Sequence, residues 1–317
     1  MVNKLSIIED KKTKATGGEK LVKKFLLRQY AVKEIFNEDN PEFTTVDITT
    51  QTLLFHKWSE VGRGPKLYGC FDGGRLEEYI DSHMITEAEF RDDRELRKQY
   101  MRKVALYHYM DVPVRNTRWD HIKFARNYFE QYRTGGKVYF EALNKLSCCK
   151  DFIELLTGFD SEAEADFLER TRQLVPSRRV LCLNDMNTLN VLIRDGHVDE
   201  DGDRVALVDL ELSARNERAC DLAAHFAFWK MDLKYEEGVN EHGLPSDEMK
   251  REIIATYLDE VRKVANHEMT EMDTVDHVLM ETEYFMLHFL FMLVGCAGFP
   301  KPLVGENGKP LVAFVVS

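Results

Sequence analysis

The chain has 317 residues, with 55 acidic side chains against 43 lysines and arginines, for a formal net charge of −12. With 44% hydrophobic and 31% charged residues it can bury a sizeable core, which excludes an intrinsically disordered chain. A negative surface repels a phosphate backbone, so general nucleic-acid binding is excluded as well, while a cationic ligand is tolerated. At about 150 residues per domain, the length predicts two domains or one two-lobed unit.

The first ten residues become charged too quickly for a secretory h-region. Lys4 to Glu9 and Leu21 to Tyr30 are apolar runs joined by a polar stretch with Gly17-Gly18, a predicted hairpin. Asp47 is placed to cap a helix running to about Glu60 that turns Leu53, Leu54 and Trp58 toward the core. Lys66 to Phe71 and Arg75 to Ile80 flank Asp72-Gly73-Gly74, a second hairpin.

From about Asp93 the apolar period is helical: Leu96, Tyr100, Val104 and His108 share one face, as do Ile122, Ala125 and Phe129. Glu162 to Leu174 and Ser246 to Val264 are further predicted helices. Short strands are expected at Val180 to Leu183, Val191 to Ile193 and Val205 to Val208. The most apolar run, Tyr284 to Phe299, falls short of the roughly 20 residues of a membrane span and reads as a buried helix. Six scattered cysteines (Cys70, Cys148, Cys149, Cys182, Cys220, Cys296) form no C-x-x-C pair and read as reduced thiols of a cytoplasmic protein.

Strands first and helices later imply an α+β arrangement of two unequal lobes. We divide the chain at residue 80, with a β-rich lobe over 1–80 and a mainly helical lobe over 81–317. The cleft between them is the expected ligand site.

The chemistry concentrates in Leu183-Asn184-Asp185-Met186-Asn187-Thr188-Leu189-Asn190 and in Val208-Asp209-Leu210-Glu211. Asp-x-x-x-x-Asn enters a strand, the chain bends, and a second strand ends in Asp. Phosphoryl transfer needs one carboxylate beside the attacking hydroxyl, and an amide oxygen with a further carboxylate to hold a metal against the nucleotide phosphates. Asp185 fits the first role, and Asn190 and Asp209 fit the second. The bend Asp199-Glu200-Asp201-Gly202-Asp203 lacks the glycine spacing of an EF-hand and reads as a solvated turn.

These motifs resemble the choline/ethanolamine kinases, a family of protein-kinase-like fold. The pattern His-Asn-Asp-x-x-x-x-Asn-Ile stands here as Leu183-Asn184-Asp185 with Asn190-Val191. Ile-Asp-Phe-Glu-Tyr stands as Val208 to Leu212, and Asp-x-x-Asn-His-Phe-x-Glu-Trp as Asp221 to Trp229. Gly64 to Gly69, Gly74 to Ile80, and Lys24 to Arg28 are similar to the lobe-joining region and to the strand bearing a nucleotide-binding arginine. The likeness covers about residues 3 to 295.

The resemblance implies ATP- and Mg²⁺-dependent phosphorylation of the hydroxyl of choline or ethanolamine, a step of phospholipid-precursor synthesis. It implies Asp185 as the base, Asn190 and Asp209 as magnesium ligands, and Arg28 facing the ATP phosphates. The backbone at Glu78 to Ile80 would receive the adenine, and Asn187 and Trp229 would face the amino alcohol. Asp221 would brace the catalytic loop or cap the following helix, and Glu211 would order the loop or stand as an exposed turn acid. A homodimer is left open.

Several positions depart from the pattern. Leu183 replaces the histidine, and Gln51 takes the helix position of the acid expected to pair with Arg28. Val2 to Leu5 resembles only the tail of the phosphate-covering loop, so a truncated small lobe is expected. Ala224 and Phe228 replace an Asn and a Glu, Asn187 replaces a Gln, and Phe291 and Val294 replace tryptophans. Two other functions follow from these changes: an impaired relative that binds without turnover, and a kinase of another small alcohol such as an aminoglycoside or sugar.

Overall fold

The computed structural model describes residues 4–11, 22–30, 48–114, 120–127, 129–130, 158–229, 243–266 and 268–296. Strands β1 (Lys4–Lys11), β2 (Val22–Gln29), β3 (Leu67–Phe71) and β4 (Gly74–Glu78) form one antiparallel sheet in the order β1-β2-β4-β3. The β3–β4 turn needs its glycines: Gly73 has φ +80°, and a Cβ on Gly74 would lie 2.4 Å from the Arg28 carbonyl oxygen. Helix α1 (Ile48–Glu60) buries Gln51, Leu54, Phe55 and Trp58 at helical spacing. Phe55, and not the expected Leu53, shares that face, and Asp47 lies outside the described residues.

The chain then crosses to the larger lobe. Strand β5 (Ser82–Met84) pairs with β7 (Val191–Arg194), which pairs with β8 (Val205–Leu207). Strands β6 (Arg179–Cys182) and β9 (Ala214–Glu217) form a separate two-stranded sheet. Neither β5 nor β9 is evident from hydrophobic pattern, because Ser82-His83-Met84 is short and Ala214-Arg215-Asn216-Glu217 is mostly polar. Pairing supplies what propensity lacks.

The helices are α2 (Glu87–Asp92), α3 (Arg94–His108), α4 (121–127), α5 (Ser161–Thr171), α6 (Arg218–Phe228), α7 (Asp247–Val264) and α8 (Val275–Cys296). The α3 face with Leu96, Tyr100, Val104 and His108 is buried as expected. Ile122, Ala125 and Phe129 join Ala165, Leu168 and Phe291 in a smaller second core. Across the lobes, Trp58 of α1 meets Tyr107 of α3 edge to face, with centroids 5.3 Å apart.

Helix α8 corrects the expectation of a short apolar run. Its 21-residue stretch Val275–Gly295 is long and apolar enough to cross a membrane, yet half of its apolar window is buried. Glu281, Thr282 and His288 lie on its buried side, and the Glu281 carboxylate takes the Nε–H of fully buried Arg218 at 2.6 Å. It serves as a core helix.

The acidic bend 199–203 is not a solvated turn. The Lys103 ammonium, fully buried on α3, lies 2.7 Å from Asp199, 2.8 Å from Asp201 and 2.7 Å from Asp203. Arg63, from the loop after α1, donates to Asp201 through Nε at 2.9 Å and Nη2 at 2.7 Å. Burial alone would raise the Asp201 carboxyl, but Arg63 and Lys103 hold it down at about 2. Three carboxylates thus surround an internal cation, and Arg63 ties one of them, Asp201, to the smaller lobe.

Candidate active site

The site grows from the loop between β6 and β7. Asn184 turns the chain with φ +58°, a conformation that Asn tolerates because its short side chain bonds locally. Its Nδ2–H donates to the Leu212 carbonyl at 2.9 Å, and its Oδ1 accepts from Asn216 at 3.1 Å. The loop is also held from beneath. Fully buried Asp221 accepts the Leu183 N–H at 2.7 Å and the Asn184 N–H at 2.8 Å, and lies 3.0 Å from His108 Nε2. Asp221 therefore braces the loop; the N-cap of α6 is Glu217.

Held this way, Asp185 is fixed by its own neighbours. Its Oδ1 accepts from Asn187 Nδ2 at 2.6 Å and its Oδ2 from Asn190 Nδ2 at 2.9 Å. Burial raises its pKa, the two amides oppose that, and the charges of Asp209 and Asp221 add to it. A carboxylate clamped at both oxygens with its basicity raised is suited to orient a hydroxyl and take its proton.

The β7–β8 hairpin brings Asp209 back. Val191 pairs with Leu207, and the Val208 N–H donates to the Asn190 carbonyl at 3.0 Å, so Asp209 begins one residue beyond Asn190's partner. Asp209 has φ +60°. Its Oδ1 is buried without a hydrogen bond and stands 3.8 Å from Arg28 Nη1. Glu211 is half-buried, and burial, then the charge of Asp209, push its carboxyl up, so it is not an exposed turn acid.

This donor set fits a hard divalent cation. Asn190 donates through its amide nitrogen, which leaves its carbonyl oxygen for a cation, and Asp209 offers an orphaned buried oxygen.

Arg28 is positioned by an unexpected partner. Its Nε–H donates to Glu77 Oε1 at 3.0 Å, and the Arg75 Nε–H donates to the same oxygen at 2.6 Å, all three side chains being buried. The Arg75 guanidinium lies 4.2 Å from the Phe55 ring centroid and donates to the Tyr30 hydroxyl at 3.1 Å. The acid paired with Arg28 thus comes from β4 and not from α1. Strand register held the signal: Arg28 pairs with Arg75, and Glu77 shares Arg75's face at i+2.

The remaining expected residues lie on two sides of this group. Glu78 ends β4 and Ile80 lies on the crossing to β5; the Glu78 N–H donates to the Lys66 carbonyl at 2.8 Å and the Ile80 carbonyl accepts from Ser82 at 3.0 Å. Trp229 borders a recess with Glu87, Phe90, Met186, Thr188, His225 and Phe228. Glu87 and Phe90 had no marker in the sequence pattern, whereas His225 is the histidine of the Asp221 to Trp229 pattern. Phe289 and Phe291 are buried in the core, Phe289 5.4 Å from Phe228 and Phe291 5.4 Å from Phe129.

Residues 1–295 match the family model described as choline/ethanolamine kinase. The chain belongs to the choline/ethanolamine kinase family. A choline/ethanolamine kinase of Rattus norvegicus is 29% identical over 251 residues, covering 77% of this chain and 60% of the relative. One from Homo sapiens is 28% identical over 255 residues, covering 78% and 61%. The chain thus spans about three fifths of the length of these relatives. Among solved structures, an ethanolamine kinase of Plasmodium vivax superposes with TM-score 0.58 at 18% identity, covering 94% of this chain and 78% of that one. A choline kinase of Cryptosporidium parvum gives 0.58 at 17%, covering 92% and 82%. The fold is the two-lobed protein-kinase-like fold of this family.

Proposed function

We propose that this chain transfers the γ-phosphoryl group of ATP to the hydroxyl of a small amino alcohol, choline or ethanolamine. The observation that carries this is the clamped, basicity-raised carboxylate of Asp185 beside the orphaned oxygen of Asp209. Asp185 orients the hydroxyl and accepts its proton as the new oxygen–phosphorus bond forms and the bond to the bridging oxygen of ADP breaks. Asn190 and Asp209 would hold Mg²⁺, which neutralises charge on the phosphates. Arg28, held by Glu77, faces those phosphates with its planar guanidinium. The crossing at Glu78 to Ile80 receives the adenine, and Asn187 and Trp229 lie on the alcohol side.

Two of the departures that suggested an impaired relative have structural counterparts. Glu77 supplies the acid that Gln51 does not, and the loop at Leu183 is held through its backbone N–H by Asp221. The thiols of Cys70 and Cys182 fit a reducing compartment, and phospholipid-precursor synthesis in the cytoplasm is the expected setting. Asp185→Asn decides the reading. Turnover of choline and ethanolamine should fall at least about 10³-fold with the melting temperature unchanged, and wild-type turnover in that variant would remove the assignment.

A further inference from the structure

The last turn of α3 carries two adjacent polar side chains, Tyr107 and His108, both buried. His108 reaches the Asp185 loop. Its Nε2 lies 3.0 Å from Asp221 Oδ2, the oxygen that also takes the Leu183 N–H at 2.7 Å. A carboxylate only accepts, so the ring donates through Nε2 and turns Nδ1 to the Tyr257 hydroxyl of α7, 2.8 Å away. Burial pushes the Tyr257 hydroxyl up, so it keeps its proton and donates. Both ring nitrogens then have partners of the right polarity, which locks the imidazole in one orientation. Leu183 stands where the sequence pattern has a histidine, and an imidazole reaches this loop from α3.

Tyr107 reaches the other turn. Its hydroxyl donates to Ser213 Oγ at 2.7 Å, and the Ser213 N–H donates to the Leu210 carbonyl at 3.2 Å, closing the turn that follows Asp209. Burial pushes the Tyr107 hydroxyl up against the opposing effect of the Ser213 bond, so it too stays a donor. On its other side the Tyr107 ring meets Trp58 of α1. The bond from Asn184 Nδ2 to the Leu212 carbonyl joins the two turns to each other.

Asp185 and Asp209 serve one reaction only if their separation is fixed, and a displacement of about 1 Å costs on the order of 100-fold in rate. Both lie on short polar turns, where precision must come from a packed element and hydrogen bonds behind them. Adjacent residues of α3 supply it to both. We infer that Tyr107 and His108 are positioning residues that mount the two halves of the site on the end of one helix, Tyr107 through Ser213 and His108 through Asp221. This rests on the kinase reading above.

Variants of the full chain test it by residue-resolved hydrogen exchange and by kinetics. In Tyr107→Phe, which removes only the hydroxyl, the Ser213 amide should exchange about tenfold faster. The magnesium concentration for half-maximal turnover should rise about fivefold, with kcat at saturating magnesium within about twofold. In His108→Leu the Leu183 and Asn184 amides should exchange about tenfold faster and kcat should fall about 30-fold, with KM for ATP and alcohol within about threefold. His108→Gln keeps an N–H for Asp221 and should recover kcat to within about fivefold of the wild type. If His108→Leu does not fold, Tyr257→Phe takes its place, freeing the ring at Nδ1 with the same direction of change expected. Amides inside α8 should keep their rates throughout, which separates positioning from a general loss of stability. Unchanged exchange at the named amides, a rise that α8 shares, His108→Gln no better than His108→Leu, or wild-type kinetics in Tyr107→Phe and His108→Leu overturns the inference. If no amino alcohol is phosphorylated, the kinase reading fails by itself, and the exchange rates alone decide whether α3 holds the two turns.

Discussion

Arg28 Nη1 stands 3.8 Å from Asp209 Oδ1, while the same guanidinium donates through Nε to Glu77 at 3.0 Å. A strand of the small lobe thereby reaches the carboxylate of the large lobe that would carry the metal. Glu77 also takes the Arg75 Nε–H, so one buried carboxylate balances two buried guanidinium groups. Removing that charge leaves Arg75 uncompensated and Arg28 with only the more distant Asp209 carboxylate. Glu77→Gln should lower the unfolding free energy by about 3 kcal/mol in urea denaturation. It should also raise KM for ATP about tenfold, because Arg28 loses its orientation. A Glu77→Gln protein with wild-type KM for ATP would show that Arg28 needs no acid to be placed.

Asp221 presents a second test of positioning. Its two oxygens accept adjacent backbone N–H groups at Leu183 and Asn184, and His108 approaches from α3. In Asp221→Asn an amide NH₂ replaces one acceptor and meets a donor. The expected loss is about 2–4 kcal/mol of stability and about 100-fold in kcat, since Asp185 is displaced from its working position. Denaturation and steady-state kinetics on the same preparation check both. A fall in stability with kcat intact would confine Asp221 to a folding role.

What could be read in advance divides along sequence distance. Asp185, Asn190 and Asp209 were legible because one loop and one hairpin hold all three, and the chemistry leaves its spacing in the chain. Glu77, Lys103 and His108 were not. Each acts on a partner dozens of residues away, Arg28, Asp201 and Asp221 respectively, and only the packed fold brings them together. The bend at 199–203 was misread for the same reason: acidic residues look solvated until a buried lysine on another helix is known. Among the elements, strong periodicity marked α3 and α7, whereas β5 and β9 exist through their partners. The small-lobe hairpin was visible because Gly73 and Gly74 meet backbone demands that few other residues satisfy.

The Lys103 cluster yields a stability prediction. Lys103→Met leaves Asp199 buried without its cation, Asp203 dependent on Arg102 and Asp201 dependent on Arg63. Near neutral pH the expected cost is about 3–5 kcal/mol. The sign with pH follows from Asp201, whose carboxyl is held at about 2. In the wild type its contribution is present above the ordinary carboxylate value of about 3.9 and is lost as pH falls through the depressed one. In the variant, protonation relieves the repulsion, so the deficit should shrink on acidification. Urea midpoints across that range measure it, and a deficit that grows toward acid would mean the carboxylates are not the cause.

His83 on β5 gives the opposite pH dependence. Its Nε2 lies 2.9 Å from Glu89 of α2 and its Nδ1 3.0 Å from Asp195 at the end of β7. The Glu89 carboxylate raises its pKa most, burial opposes it, and Asp195 adds to the rise. A histidine stabilised in its charged form contributes fully below its ordinary value of about 6.5, and that contribution is lost as pH rises through the raised value. The side chain is 42% exposed, so the effect is modest and screened by salt. His83→Gln should therefore melt below the wild type at about pH 5.5, with the gap closing by about pH 9 and narrowing at high ionic strength. A gap that stays constant across that range would assign His83 a packing role and remove the charge from the account.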